Sequence, residues 1–191
     1  VRFPGNTDAS GRRMYPEFFI PPYNGGKKLK TVFGQTPGTH ILSANAYELE
    51  LLRLLVILAP ENPDVRGMVL HTLSRLKATC FGNEDDGVGE CFDTSLVVLR
   101  FLAFAAPGES AWINERIAVF YKHYGEKHRV WQVKWYFWLC LSELPPGIAL
   151  PETERCKDEV LTQLNRARVM NSEFAREYHP VIICAARNTL A

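Results

Sequence analysis

The sequence predicts an all-α fold built of tandem antiparallel helix hairpins, as in a short α-solenoid. From Asn45 onward, apolar residues recur at helical spacing between Pro and Gly residues, and no segment alternates as a strand does. In addition, LRLLVILAP (52–60) and LRFLAFAAP (99–107) share Leu, Arg, Leu, Ala and Pro at an offset of 47 residues. Tandem hairpins at this spacing are typical of stacked α-α repeats, because one hairpin alone cannot bury its apolar face.

The sequence predicts two regions. Residues 1–44 are expected to form an irregular arm, which packs on a helical-hairpin domain over residues 45–191. The arm is rich in Pro and Gly and has no sustained helical period. Its segment YPEFFIPPY (15–23) is too apolar for a solvated linker, so we expect it to lie against the helices. The stretch GGKKLKT is not a phosphate-binding loop, because Pro21 and Lys28 stand where that motif needs Gly and Ser or Thr. The sequence therefore predicts no cofactor.

Two helices are predicted between Asn45 and Lys77. Asn45 and Glu48 are spaced as a capping box, an apolar run follows, and Pro60 ends the helix. The order Asn62-Pro63-Asp64 then predicts an N-cap, a Pro at the first helical position and an acid in the first turn. The apolar stripe of this second helix comprises Val65, Met68, Val69, Leu73 and Leu76.

Further helix signals continue to the carboxyl end and bring the expected number to about seven. A third helix is predicted from an Asp93 cap to Ala106, a fourth from Ser110 to Gly125, and a fifth over 130–143. Pro151 is expected to open a sixth helix, and a last one is expected around Pro180.

The segment CFGNEDDGVGEC (80–91) is predicted to be a loop between the first two hairpins. It does not match a calcium-binding loop, and its two cysteines are too few for a thiolate metal site, so no metal is predicted. A disulfide between Cys80 and Cys91 stays open. The five cysteines lack CxxC spacing, which favours a reducing compartment such as the cytoplasm.

Residues 83–107, NEDDGVGECFDTSLVVLRFLAFAAP, resemble one repeat of the α/α-toroid proteins, which include squalene and terpene cyclases and protein prenyltransferases. In those families an acidic, Gly-rich turn precedes an inner helix that often begins with Asp-Thr. The chain departs from the pattern at Val88, where an aromatic residue usually stands, and it has no DxDD motif. The resemblance implies a partial α/α-toroid as the alternative to a solenoid, more than it implies cyclase chemistry.

The acidic loop and the helix after it hold the candidate catalytic residues Asp85, Asp86, Glu90 and Asp93. At the mouth of a helical cavity, one of these carboxyl groups could have a raised pKa and act as an acid, or several could bind a hard cation. The alternative is a solvated acidic turn with one helix cap, as most acidic loops are.

Aromatic residues at helical spacing form a second candidate site. Trp131, Trp135 and Trp138 fall on one helical face and are candidates to line a ligand pocket, together with His123 and Tyr124 near Gly125. Two alternatives stay open, because core packing also explains the indoles and a helix C-terminus also explains the histidine.

The net charge and the hydropathy of the chain restrict the classes of partner that the sequence predicts. With 22 Lys and Arg against 21 Asp and Glu, the net charge of +1 does not predict nucleic-acid binding. The run LLVILA is far shorter than the roughly 20 residues of a membrane span. We therefore expect a helical-repeat module presenting a groove to a protein or a small apolar or carbohydrate ligand. The alternative is a toroid-like enzyme that acts on an isoprenoid or carbohydrate by acid catalysis.

Overall fold

The computed structural model describes residues 40–83, 90–127, 131–167, 183–184 and 187–189. Within these ranges the protein is helical without a strand, which confirms the all-α class for the described residues. The arm up to residue 39 and the helix expected around Pro180 lie outside them. The helices are α1 (His40–Leu58), α2 (Pro63–Leu76), α3 (Cys80–Asn83), α4 (Glu90–Ala105), α5 (Ser110–Lys127), α6 (Trp131–Leu141) and α7 (Pro146–Ala167).

Helix α1 begins earlier than expected, at His40, so the predicted capping box at Asn45 and Glu48 is wrong. Both residues lie inside the helix and are buried. A residue distant in sequence helps to stabilise the helix start, because the Leu42 amide donates to Glu90 Oε2 at 3.1 Å. A carboxylate at this end satisfies a free N–H group and interacts favourably with the helix dipole.

Helix α2 begins as its sequence predicts. Asn62 Oδ1 accepts hydrogen bonds from the amides of Asp64, at 2.8 Å, and Val65, at 3.3 Å. Pro63 occupies the start of the helix, where its missing N–H costs nothing. The stripe is buried at Val65, Val69 and Leu76, whereas Met68 at its edge is exposed.

Other boundaries also differ from the expected ones, and α5 runs past its expected end at Gly125 to Lys127. Asp93 is not a cap, because α4 already begins at Glu90 and the first turn includes both acids. Pro151 does not open a helix but lies inside α7, which begins at Pro146, a residue with the backbone angle that suits a first turn. Residues 80–83, expected in a loop, form the short helix α3.

Helix α3 is held by two side chains of α5. Trp112 Nε1 donates to the Gly82 carbonyl, and the buried Arg116 donates to the carbonyls of Phe81 and Asn83. These donors satisfy carbonyl groups that so short a helix leaves without internal partners. These tertiary contacts add to a local cap at the start of α3, where Thr79 Oγ1 accepts the Gly82 amide at 3.1 Å.

Helix α4 lies at the centre of the described fold and contacts α1, α3, α5 and α6. The α1 and α4 axes run in the same direction, since Leu42 meets Glu90 near both starts and Arg53 lies over the Phe104 ring near both ends. Phe120 of α5 joins three helices, with ring centroids 6.1 Å from Phe92 of α4 and 3.7 Å from Phe137 of α6.

Polar contacts connect the remaining elements. Lys77 after α2 pairs with Glu109 before α5 at 3.3 Å, and Lys134 of α6 pairs with Glu159 of α7. Near the carboxyl end, Thr189 Oγ1 donates to the Trp138 carbonyl at 2.9 Å. This last contact places Thr189 against α6.

Candidate functional site

The predicted acidic residues do not all fall in the described part of the structure. Asp85 and Asp86 lie outside it. Glu90 is half-buried and accepts the Leu42 amide, which is a structural contact, and Asp93 is half-buried in the first turn of α4. A catalytic role for the four acids stays a prediction.

The predicted aromatic residues lie mainly in the core. Trp135 and Trp138 are buried in α6, and the Trp131 side chain is outside the described residues. His123 is buried with its ring 6.4 Å from that of Phe92, and Tyr124 is half-buried, stacked on Phe120 at 5.0 Å with Lys134 Nζ over its face at 4.8 Å. The core-packing interpretation fits Trp135 and Trp138, and their role in ligand binding stays a prediction.

A cluster of charged residues, hereafter the Arg–Glu cluster, joins α1, α4 and the end of α6. It comprises Glu50, Arg53, Arg100, Tyr136 and Glu143. Arg100 binds both Glu143 carboxylate oxygens at 2.7 Å and Glu50 Oε1 at 2.8 Å. Glu50 also accepts from Arg53 Nε at 2.8 Å and from the Tyr136 hydroxyl at 3.0 Å. Bidentate Arg–carboxylate pairs of this kind are strong and geometrically specific.

The surroundings of the cluster raise the pKa values of Arg100 and Tyr136. Burial by itself lowers the pKa of Arg100, but the hydrogen bond to Glu143 and the nearby Tyr136 and Glu50 raise it overall. Burial, followed by the charge of Glu50, raises the pKa of Tyr136 well above its ordinary value. The tyrosine therefore remains a hydrogen-bond donor, and the two arginines balance the two glutamates.

The sequence-based site prediction missed the Arg–Glu cluster, although a signal for it exists. Arg53 and Arg100 occupy the same position in LRLLVILAP and LRFLAFAAP. A charge inside an apolar helix needs a partner, so an Arg that recurs at equivalent positions indicates ion pairs between the helices. The glutamate partners have no local signal, since 43 and 50 residues separate them from Arg100.

Helix α1 also has an outer face with no polar residue, hereafter the α1 stripe, formed by Tyr47, Leu51, Leu54 and Leu58. All four side chains are exposed, Leu54 to 46% and Leu58 to 78%, and Ile57 is exposed beside them. Their 4-3-4 spacing places them in one row along the helix. Large apolar side chains normally lie on the face of a helix that packs in the core, so this exposed row is an unusual surface.

The described part of the chain has no helix that combines the length and the apolar character needed to cross a bilayer. Among the same residues, no three His, Cys, Asp or Glu side chains gather as ligands for a metal ion.

Comparison of the chain with protein-family models, curated proteins and solved structures finds no match. The resemblance of residues 83–107 to an α/α-toroid repeat therefore stays a prediction, and the candidate surfaces are interpreted from the geometry of this protein alone.

Proposed function

We propose that the protein is a helical-repeat binding module that docks an apolar helix of a partner protein on the α1 stripe. The α1 stripe itself carries this proposal, because four large apolar side chains in one row are exposed on a helix whose opposite face is packed in the core. Contiguous exposed apolar patches on a protein surface are typical of protein–protein contacts.

The contacts between helices support the repeat part of the proposal. Helix α4 contacts both α1 and α6, and α2, α5 and α7 each contact the long helix before them. Phe92 near the start of α4 meets His123 near the end of α5, and Lys134 near the start of α6 meets Glu159 late in α7. Both contacts agree with antiparallel hairpins whose first helices form one row.

The near-repeat agrees with the same arrangement. Arg53 and Arg100 hold equivalent positions in the two repeat segments, and both contribute to one ionic cluster between adjacent first helices. Among the described helices α1 is the first member of such a row, and its stripe is exposed. The α1 stripe lies on a surface that a further helix can cover.

The geometry of the stripe defines the chemistry of the partner. Tyr47 and Leu58 are about 16 Å apart along the helix axis, the length of three helical turns. Their 4-3-4 spacing is that of a coiled-coil seam, which accepts Leu, Ile or Val side chains at the same spacing. The stripe contains no charged side chain, and the nearby Glu50 and Arg53 are paired with each other. An apolar helix face therefore fits better than a charged segment.

The test measures binding of the full chain to a synthetic peptide of about four heptads with Leu at positions a and d and balanced Glu and Lys elsewhere. We expect Leu54→Glu with Leu58→Glu to weaken binding at least about tenfold, because burial of two leucines is replaced by burial of two carboxylates. Fluorescence anisotropy gives the affinity. The matched control is Leu150→Glu with Leu161→Glu, the same pair of substitutions at two exposed leucines of α7.

Equal affinity of the α1 double variant and the α7 control, at unchanged Tm, would contradict the proposal. A photo-crosslinking amino acid in place of Leu54 adds a second criterion. Crosslinks to the peptide support docking on the stripe. Crosslinks in the absence of peptide to residues 15–23 of the same chain, or to a second copy, would show that the protein covers the stripe itself, and the proposal would be wrong.

The acid-catalysis alternative gains nothing from the described residues. It required indoles at the edge of a cavity, and the two indoles of α6 that are described, Trp135 and Trp138, are buried. It stays a prediction from the sequence, because Asp85 and Asp86 lie outside the described ranges.

A further inference from the structure

Cys80 and Cys91 bring two thiols together at the two ends of the acidic segment. Cys80 begins α3 and Cys91 is the second residue of α4, and the two Sγ atoms are 3.4 Å apart. The two cysteines are not joined by a disulfide, and both are half-buried. We propose that this pair is a modification site at which a small-molecule disulfide, such as oxidised glutathione, is reduced and an intramolecular Cys80–Cys91 disulfide forms.

The distance between the two sulfurs is compatible with this reaction. A disulfide bond is about 2.05 Å long, so the sulfurs need to approach by about 1.4 Å. Packing of α3 on α4 already holds the two side chains against each other. Because the thiols are held in contact, attack of the second thiol is intramolecular and competes well against a second molecule of oxidant.

Two of the other three cysteines, Cys140 and Cys156, are in environments that oppose the same reaction. Cys140 is fully buried and its Sγ donates to the Leu96 carbonyl, and burial raises its pKa well above the ordinary value. Burial raises the pKa of Cys156 to about 11. The thiolate is the reactive form, so these two are poor nucleophiles near neutral pH. Cys184 is exposed and near the carboxyl end of the chain.

The exchange proceeds in two balanced steps. One thiol of the pair loses its proton to solvent and attacks the small-molecule disulfide, forming a mixed disulfide and releasing one thiolate. The second thiol, also deprotonated, attacks the protein sulfur of the mixed disulfide and releases the second thiolate. The two protein thiols are oxidised by two electrons, and the oxidant is reduced to two thiols that take up the two protons.

The disulfide would close the segment that carries Asp85 and Asp86 into a covalent loop. It would also attach α3 to the first turn of α4, one residue from Glu90, whose carboxylate accepts the Leu42 amide at the start of α1. The modification site therefore lies beside a contact between the first two long helices of the row. It does not depend on the proposed binding of a helix to the α1 stripe.

The experiment uses the full chain with Cys184→Ser, incubated with excess oxidised glutathione, blocked with N-ethylmaleimide and analysed by mass spectrometry. We expect the intact mass to fall by about 2 Da before blocking, with no lasting glutathione adduct. Trypsin places both cysteines on one peptide, 78–100, because no Lys or Arg stands between Lys77 and Arg100. Cleavage after Glu84 and Glu90 should then give three fragments, of which 78–84 and 91–100 each contain one cysteine and stay joined until they are reduced.

The control variants are Cys80→Ser and Cys91→Ser in the same background. Each retains one thiol of the pair, so each should accumulate a stable glutathione adduct in place of the internal bond. Stable adducts at both cysteines of the parent chain, or a disulfide that involves Cys140 or Cys156, would overturn the proposal.

Discussion

Close packing around residue 82 leaves room only for glycine. A Cβ atom at this position would lie 2.1 Å from the Leu76 carbonyl oxygen and 2.7 Å from Thr79 Oγ1. Neither neighbour is free to move, because Thr79 Oγ1 donates to that carbonyl and accepts the Gly82 amide. The Gly82 carbonyl also accepts the Trp112 indole, so backbone contacts surround this residue on several sides.

We predict that Gly82→Ala destabilises the protein by roughly 3 kcal/mol, because a backbone carbonyl has to move to admit the methyl group. The matched control is Gly67→Ala in the exposed interior of α2, where nothing lies within 4 Å of the added Cβ. There we expect a gain of up to about 1 kcal/mol from helix propensity. Urea denaturation of both variants measures the two free energies of unfolding, and a similar change in both would contradict the packing argument.

At the scale of the helices, the Arg–Glu cluster forms a polar connection between α1, α4 and the end of α6. Arg100 is central to it, with three hydrogen bonds to two glutamates and its guanidinium 5.9 Å from the Tyr136 ring centroid. Its side chain is only 11% exposed. Loss of one partner from a largely buried pair leaves the other charge poorly solvated, which is more damaging than loss of an exposed pair.

We predict that Arg100→Met reduces the free energy of unfolding by roughly 3 kcal/mol, since Glu143 loses its bidentate partner and Glu50 loses one of its donors. Lys157→Met provides the control, because Lys157 pairs with Glu154 on the exposed face of α7. An exposed pair of this kind contributes about 0.5 kcal/mol. Chemical denaturation at low and high salt checks both values, and a loss at Arg100 no larger than at Lys157 would refute the role of the cluster.

At the scale of the whole molecule, the described helices share one apolar core. Buried residues from α1 through α7 contribute to it, and α4 touches four other helices. The stacked rings of Phe92, Phe120 and Phe137 link α4, α5 and α6 in the same core. A core shared in this way couples the stability of its helices.

We predict that unfolding in urea is a single transition for the described helices. Far-UV circular dichroism reports all of them, whereas tryptophan fluorescence reports mainly the packing of α5 and α6, which carry Trp112, Trp135 and Trp138. The two signals should have the same midpoint, as expected for two-state unfolding. Loss of ellipticity well before the fluorescence change would show that α1 and α2, or α7, unfold independently.

Local signals explain which parts of the fold were predictable. The all-α class, the Asn62 cap and the breaks at Pro60 and Pro107 follow from residues that act on their own neighbours. The core position of Trp135 and Trp138 follows from a helix that is apolar on nearly all sides. Site residues were less predictable. The acids of the 84–89 segment attract attention because their sequence is distinctive, whereas the Arg–Glu cluster combines residues from three segments that are far apart in the chain.

The sequence by itself determined that this chain forms helices and where most of them stop, because capping, helix propensity and apolar period act over a few residues. Only the tertiary structure decided that Leu42 in the first turn of α1 contacts a carboxylate 48 residues away, and that Cys80 and Cys91 come into contact. It also decided which face of α1 is left exposed. All three depend on which helices pack together, and that is set by contacts between residues far apart in the chain.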